Sequence, residues 1–127
     1  MAYLGIDFGM RHVGFAYCEN GISAQPLTTI SRIAANSFIA KFCVQHSVKT
    51  IVIGMPDGAM SSAVVRFGNK LRDTRGLPVI FWDETLSSKE AQKILIANGV
   101  SRKRRQEKEH SVAATLLLQS YIDTHHS

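Results

Sequence analysis

The sequence predicts an α/β domain: a mixed five-stranded sheet with helices on both faces. Three observations predict it. The 127 residues are enough for one domain with a sizeable core, and no linker or repeat divides them. The first 30 residues contain short apolar segments typical of an antiparallel meander. The rest alternates strand-like and helix-like segments, as βαβ units do. We therefore expect a single domain over residues 1–127 with the order β-β-β-α-β-α-β-α-α.

The meander is predicted from strand-forming residues separated by turn residues. Tyr3–Phe8 is short and apolar, and Val13–Tyr17 is rich in β-branched and aromatic residues. Asn20-Gly21 is typical of a two-residue hairpin turn, because both positions tolerate positive φ. This turn would join the second strand to a third over Ile22–Leu27.

The later elements follow from apolar runs and helix signals. Thr50–Ile53 and Val79–Trp82 are continuous apolar runs of the kind that parallel sheets bury. The predicted helices run from a Ser31 cap to about His46, over Ser61–Arg72, from a capping box at Ser87–Glu90 to Asn98-Gly99, and over Val112–Ile122.

The composition excludes several classes of protein. With 45% hydrophobic and 20% charged residues the chain is globular, and no run approaches the roughly 20 apolar residues that span a bilayer. The first residues lack the features of an export signal. Two cysteines without C-x-x-C spacing do not indicate a disulfide scaffold or a metal cluster. We expect a cytoplasmic protein that has no membrane partner.

The positive charge is concentrated in one segment. The formal net charge is +5, and residues 101–110 hold five basic and two acidic side chains, which makes +3 of that total. This excess favours a polyanionic partner such as nucleic acid. A solvated surface is the alternative interpretation of any charge run.

Acidic residues follow three of the predicted strands at their carboxyl ends. Asp7, Asp57 and Asp83-Glu84 would meet at one rim of the sheet, where α/β proteins gather their chemistry. Converging carboxylates need positive charge, and Mg²⁺ takes few protein oxygens while leaving sites for water and phosphate. Such a rim beside a basic segment favours phosphodiester hydrolysis. For Asp7 and Asp57 a structural role in a turn stays open.

Four spaced blocks of the sequence resemble a known family. They are Gly5-Ile6-Asp7-Phe8-Gly9 followed by Arg11, Val13 and Gly14; Val52-Ile53-Gly54-Met55-Pro56; Asp83 to Ala91; and Ser111-Val112-Ala113-Ala114. Together they resemble the YqgF (RuvX) family of pre-16S ribosomal RNA nucleases, once labelled Holliday junction resolvases. The resemblance spans nearly the whole chain. It implies an RNase H-like fold and metal-dependent cleavage of nucleic acid in ribosomal RNA maturation.

The resemblance also implies site residues. The family's first two acids correspond to Asp7 and Glu84, while its third acid is replaced by His110, with Glu109 beside it. These residues would hold Mg²⁺ or Mn²⁺ and carry the catalysis. We expect Arg11 and the basic residues Arg102, Lys103, Arg104 and Arg105 to bind the nucleic acid backbone.

Two departures from the family pattern keep other functions open. Thr85 stands where the family has Arg, and His110 contributes no negative charge. Two functions therefore stay open. The protein is either a nuclease that acts on structured RNA or branched DNA, or a non-catalytic protein that binds nucleic acid or ribosome precursors. A third interpretation is a nucleotide-binding module like the phosphate-binding hairpin of actin-like kinases, but 127 residues leave no room for the second domain.

Overall fold

The structure, a computed structural model, describes residues 2–83 and 87–125, with only the backbone described for residues 87–89. Its strands are β1 (Tyr3–Phe8), β2 (His12–Cys18), β3 (Gln25–Ser31), β4 (Thr50–Met55) and β5 (Val79–Asp83). Its helices are α1 (Arg32–Gln45), α2 (Met60–Arg75), α3 (Ser87–Ala97) and α4 (Arg102–His125). The predicted element order is confirmed.

The five strands form one mixed sheet in the order β3-β2-β1-β4-β5. β1 pairs antiparallel with β2, and β2 with β3, whereas β1 and β4, and β4 and β5, are parallel. The meander followed by βαβ units is therefore confirmed. The carboxyl ends of β1, β4 and β5 lie at the same rim of the sheet.

One face of the sheet is covered by α1 and α2 over the larger apolar core. Alternate residues of β1, namely Leu4, Ile6 and Phe8, point into this core. Phe15 of β2 and Ile39 of α1 are fully buried there. Burial of these large side chains is the main source of stability on this face.

The opposite face is covered by α4, and α3 packs against α4 rather than against the sheet. A second core cluster lies under α4, built from Ala16, Val52, Ala114, Leu117 and Leu118 among others. Helices on both faces, as predicted, are confirmed.

The hairpin between β2 and β3 differs from the prediction. A six-residue connection over 19–24 replaces the two-residue turn, and β3 lies at Gln25–Ser31 instead of 22–27. The Asn20 carboxamide oxygen accepts hydrogen bonds from the Ile22 and Ser23 amides, at 2.9 and 3.2 Å. This side-chain turn lengthens the loop, because it uses the amides that a shorter hairpin would pair across the strands.

The last helix is longer than the predicted 112–122, because the basic segment forms its first turns. The Ser101 hydroxyl accepts from the Arg104 amide at 3.4 Å, and the Ser101 carbonyl accepts from the Arg105 amide at 2.8 Å. Arg, Lys, Gln and Glu are strong helix formers even without an apolar stripe. The cationic residues therefore lie in the first turns of α4, and not ahead of the helix as the hydrophobic pattern predicted.

Candidate active site

Asp7 is a buried carboxylate near the carboxyl end of β1. It lies opposite Gly14 in the β1–β2 register, on the face that α4 covers, and is only 4% exposed. The imidazole Nδ1 of His110, on α4, lies 2.8 Å from Asp7 Oδ2. A carboxylate withdrawn from water needs a partner of this kind, because burial without one is costly. The two residues are 103 positions apart in the chain, and the fold brings them into contact.

Glycines in the two central strands make this contact possible. A Cβ on Gly14 would lie 2.1 Å from the His110 carbonyl carbon, and one on Gly5 would lie 2.9 Å from Leu118 Cβ. On the helix side Ala113 and Ala114 are fully buried. Small residues on both partners let α4 pack closely on β1 and β2, which seats position 110 directly over Asp7.

The turn after β1 packs against the His110 imidazole. The Gly9 amide donates to the His12 carbonyl at 2.9 Å, which ties the turn together. A Cβ on Gly9 would lie 2.9 Å from His110 Cε1, so the imidazole packs against this backbone. His110 is thus held between the turn and Asp7, with one third of its side chain exposed.

The site stabilises the charged form of His110. The hydrogen bond to Asp7 raises the pKa of the imidazole above its ordinary value, burial lowers it, and the charges of Asp7 and Glu109 raise it further. The net direction is upward. When the imidazole is protonated, its Nδ1–H donates to the Asp7 carboxylate and the two residues form an ion pair.

Glu109 does not take the place of His110. Its Oε1 accepts a hydrogen bond from Gln92 Nε2 of α3 at 2.9 Å. Consecutive helix positions differ by about 100° around the axis, so the residue next to His110 faces α3. Of the two candidates for the third ligand, His110 is the one that contacts Asp7.

The other predicted acids are distributed differently. Glu84, like Thr85, lies outside the described residues 2–83 and 87–125. Asp83 pairs in register with Met55 and follows Phe81 by two positions, which places it on the α2 face and not with Asp7. Asp57 is exposed in the loop after β4. Within the described part of the chain, no three His, Cys, Asp or Glu side chains converge to hold a metal ion.

Three of the predicted basic residues lie on two different sides of the first turns of α4. Arg102 and Arg105 line a depression toward α3 together with Glu109. Lys103 lies on the other side, with Glu107, His12 and Thr29. Arg105 is partly committed to the fold, since its guanidinium donates to the Val100 carbonyl at 3.1 Å.

The other two predicted basic residues are exposed, and the sequence did not predict the role of one glycine. Arg104 is exposed on α4, and Arg11 is exposed in the turn after β1. Sequence reasoning did not assign Gly14 the role of seating α4. A glycine inside an otherwise β-branched and aromatic strand was the signal for such a close backbone approach.

Two solved structures with similar folds are Holliday junction resolvases. The fowlpox virus Holliday junction resolvase superposes with a TM-score of 0.60 at 12% identity, over 98% of this chain and 99% of that chain. Thermus thermophilus RuvC in complex with Holliday junction substrate gives 0.55 at 13% identity, over 98% and 95%. The chain therefore has the RNase H-like fold of these resolvases.

The sequence comparisons identify the family. The family described as "RuvX: Holliday junction resolvase" matches residues 1–124. A protein of Syntrophus aciditrophicus is 41% identical over 133 residues, 97% of this chain and 89% of the relative. One of Geobacillus kaustophilus is 37% identical over 136 residues, 98% and 99% respectively. Both are named "Putative pre-16S rRNA nuclease". The chain belongs to the RuvX (YqgF) family, which confirms the resemblance.

None of the described helices is both long enough and apolar enough to cross a membrane.

Proposed function

We propose that this protein is a metal-dependent endonuclease that hydrolyses phosphodiester bonds of precursor 16S ribosomal RNA. The observation that carries the proposal is the buried Asp7 carboxylate at the carboxyl end of the central strand, 2.8 Å from His110. The names of the relatives and the family description support nucleic acid as substrate and hydrolysis as the reaction. We further propose that it acts in the cytoplasm, during ribosome biogenesis.

We propose Asp7, Glu84 and His110 as the residues that hold the ion. The Asp7 oxygens are the hard ligands that Mg²⁺ and Mn²⁺ prefer. Asp83 lies on the α2 face, and the family pattern makes Glu84 the proposed second acid. His110 can ligate through its imidazole only when neutral. A bound divalent ion would supply an activated water and would stabilise charge on the phosphate.

The first turns of α4 support a role in binding the phosphate backbone. Arg102, Lys103, Arg104 and Arg105 crowd the amino-terminal end of a helix whose first turn has no acidic residue. The helix dipole makes this the unfavourable end for cations, by about 0.3–1 kcal/mol each. Their placement weakens the helix. It also concentrates positive charge about 8–12 Å along the helix axis from His110. We propose that these residues and Arg11 hold the substrate backbone.

A binder without catalysis is the second candidate, and the ion pair itself favours it. His110 occupies the position at which the family pattern has an acid, and its charged form neutralises Asp7 without a metal. In this alternative the basic helix end would hold RNA, and Asp7 would be structural.

Cleavage assays with Asp7→Asn separate the two candidates. The wild type should cleave a structured RNA spanning a terminus of 16S precursor RNA, with Mn²⁺ or Mg²⁺ present. Asp7→Asn should retain the fold by circular dichroism and reduce the rate by more than the roughly 10–100-fold typical of residues that only orient metal ligands. Asp73→Asn, the same change at an exposed site on α2, is the matched control and should cleave like the wild type.

The outcomes are distinct. Equal cleavage by Asp7→Asn and the wild type would contradict the proposed site. RNA binding without metal-dependent products from any variant would support the non-catalytic binder. Cleavage of a four-way DNA junction but not of RNA would change the substrate class. A faster rate for His110→Asp would indicate that the histidine attenuates the natural site.

A further inference from the structure

A second basic surface lies on the face of the sheet away from Asp7, in a groove between α1 and α2. Three adjoining depressions make up this α1–α2 groove: Asn36 lines all three, Arg32 lines the first and second, and Lys70 lines the second and third. The first, of about 560 Å³, lies at the rim of the sheet, and the second, of about 230 Å³, runs between the helices. Its cations are Arg11, Arg32, Arg66, Lys70 and Arg75.

The charges in this groove are not balanced. Among the described residues, no carboxylate lines any of its three parts. The amino-terminal end of α4 differs, because Glu109 and Glu107 accompany the basic residues on its two sides. The α1–α2 groove is thus the more uniformly positive surface, although its residues are scattered over 65 positions of the sequence.

Packing does not account for these cations. Arg66, Lys70 and Arg75 are exposed. Arg72, on the same helix, shows what a structural arginine does here: its guanidinium donates to the Val79 carbonyl at 3.2 Å and to Asn69 Oδ1 at 3.1 Å. Arg66 and Lys70 lie one turn apart on one face of α2 and form a short row of positive charge, whereas Arg75, five positions after Lys70, lines only the third depression.

Arg32 is held in place at the start of the groove. Its guanidinium lies over the Phe8 ring, 4.6 Å from the centroid, and one of its nitrogens donates to the Met10 carbonyl at 3.5 Å. A cation that is already ordered loses less side-chain entropy when it binds an anion. The stacking also leaves guanidinium edges free for further hydrogen bonds.

The groove is continuous with the candidate active site through the turn after β1. Gly9 packs against the His110 imidazole, and Arg11, two residues further on, lines the first part of the groove. The Arg11 carbonyl accepts from the Arg32 amide at 2.8 Å, which fixes this turn to the start of α1. A strand leaving the site over the turn would meet Arg11 first, then Arg32, and then the row on α2.

We infer that the α1–α2 groove binds the phosphate backbone of the RNA substrate beyond the cleavage site. This inference rests on the proposed function for the identity of the polyanion. The ligand is the sugar–phosphate chain and not the bases, because cations line the groove and its aromatic rings, Phe8 and Phe67, stack on each other at 4.3 Å.

The test is equilibrium binding of the structured RNA in EDTA, where cleavage plays no part. Arg66→Gln combined with Lys70→Gln removes two groove charges from exposed helix positions and keeps helix-forming residues there. Lys41→Gln combined with Lys93→Gln, exposed on α1 and α3 and outside the groove lining, is the matched control. Each protein is titrated by fluorescence anisotropy at several salt concentrations.

The groove variant should bind about tenfold more weakly, and its slope of log K against log salt should fall by about two, one for each lost phosphate contact. The control should keep the slope of the wild type. Wild-type affinity and slope in the groove variant would overturn the inference. If no RNA is cleaved under any condition but the groove variant still binds weakly, the nuclease proposal fails and the inference stands.

Discussion

The two faces of the sheet are built from opposite kinds of residue. Toward α1 and α2 the strands present large side chains such as Phe15, which is fully buried in the main core. Toward α4 they present Gly5, Gly14 and the buried Asp7. The α1–α2 face holds the larger apolar core, whereas the α4 face has a smaller core and a close helix approach that sets His110 on Asp7. The larger core and the candidate chemistry thus lie on different faces.

The largest expected effect of a single change on stability is on the α1–α2 face. Phe15→Ala removes a fully buried ring that packs at a tilt against Phe38, with centroids 4.6 Å apart. We expect the free energy of unfolding to fall by about 3–5 kcal/mol, since the core would lose apolar burial and gain a cavity. Urea denaturation followed by circular dichroism measures it. Cleavage per folded molecule should stay close to that of the wild type; a large loss of cleavage in fully folded protein would contradict the division between faces.

The adjacent residue of β2 makes the reciprocal test. Gly14→Ala adds one methyl group on the α4 face, where the new Cβ would meet the backbone of His110 and Ser111. We expect a loss of about 3 kcal/mol, the upper end of the usual range for overpacking, because backbone atoms must move. Cleavage per folded molecule should fall far more than in Phe15→Ala. Comparable activity of the two variants, corrected for the folded fraction, would argue against a precise seat for α4.

The difference between the faces also explains what the sequence could predict. Apolar runs predict β1, β4 and β5 because buried strands need them, and Asp7 at the end of one such run stands out. The start of α4 was missed, since Arg102–Lys108 has no apolar stripe and its helix depends on propensity and the Ser101 cap. The α1–α2 groove could not be predicted, because its cations come together only in the folded chain.

The site itself was predictable in part. The position of Asp7 follows from strand order, and His110 follows from the family pattern. The choice between His110 and Glu109 needed the rotation of α4, which the Gly14 contact sets. The local sequence of α4 cannot specify that rotation, because it depends on how α4 packs against the distant strand β2.

The smallest expected effect is a pH dependence confined to the α4 face. The pKa of His110 is raised in the folded protein, chiefly by its hydrogen bond to Asp7. The pair therefore contributes stability that is fully present below about pH 6.5, the ordinary pKa of histidine, and is lost as pH rises through the folded value. In EDTA, the urea midpoint of the wild type should decrease over this window. His110→Gln should remove that decrease, whereas Phe15→Ala should lower the whole curve and keep its shape. A decrease of equal size in His110→Gln would assign the pH dependence to other groups and would leave Asp7 and His110 uncoupled in solution.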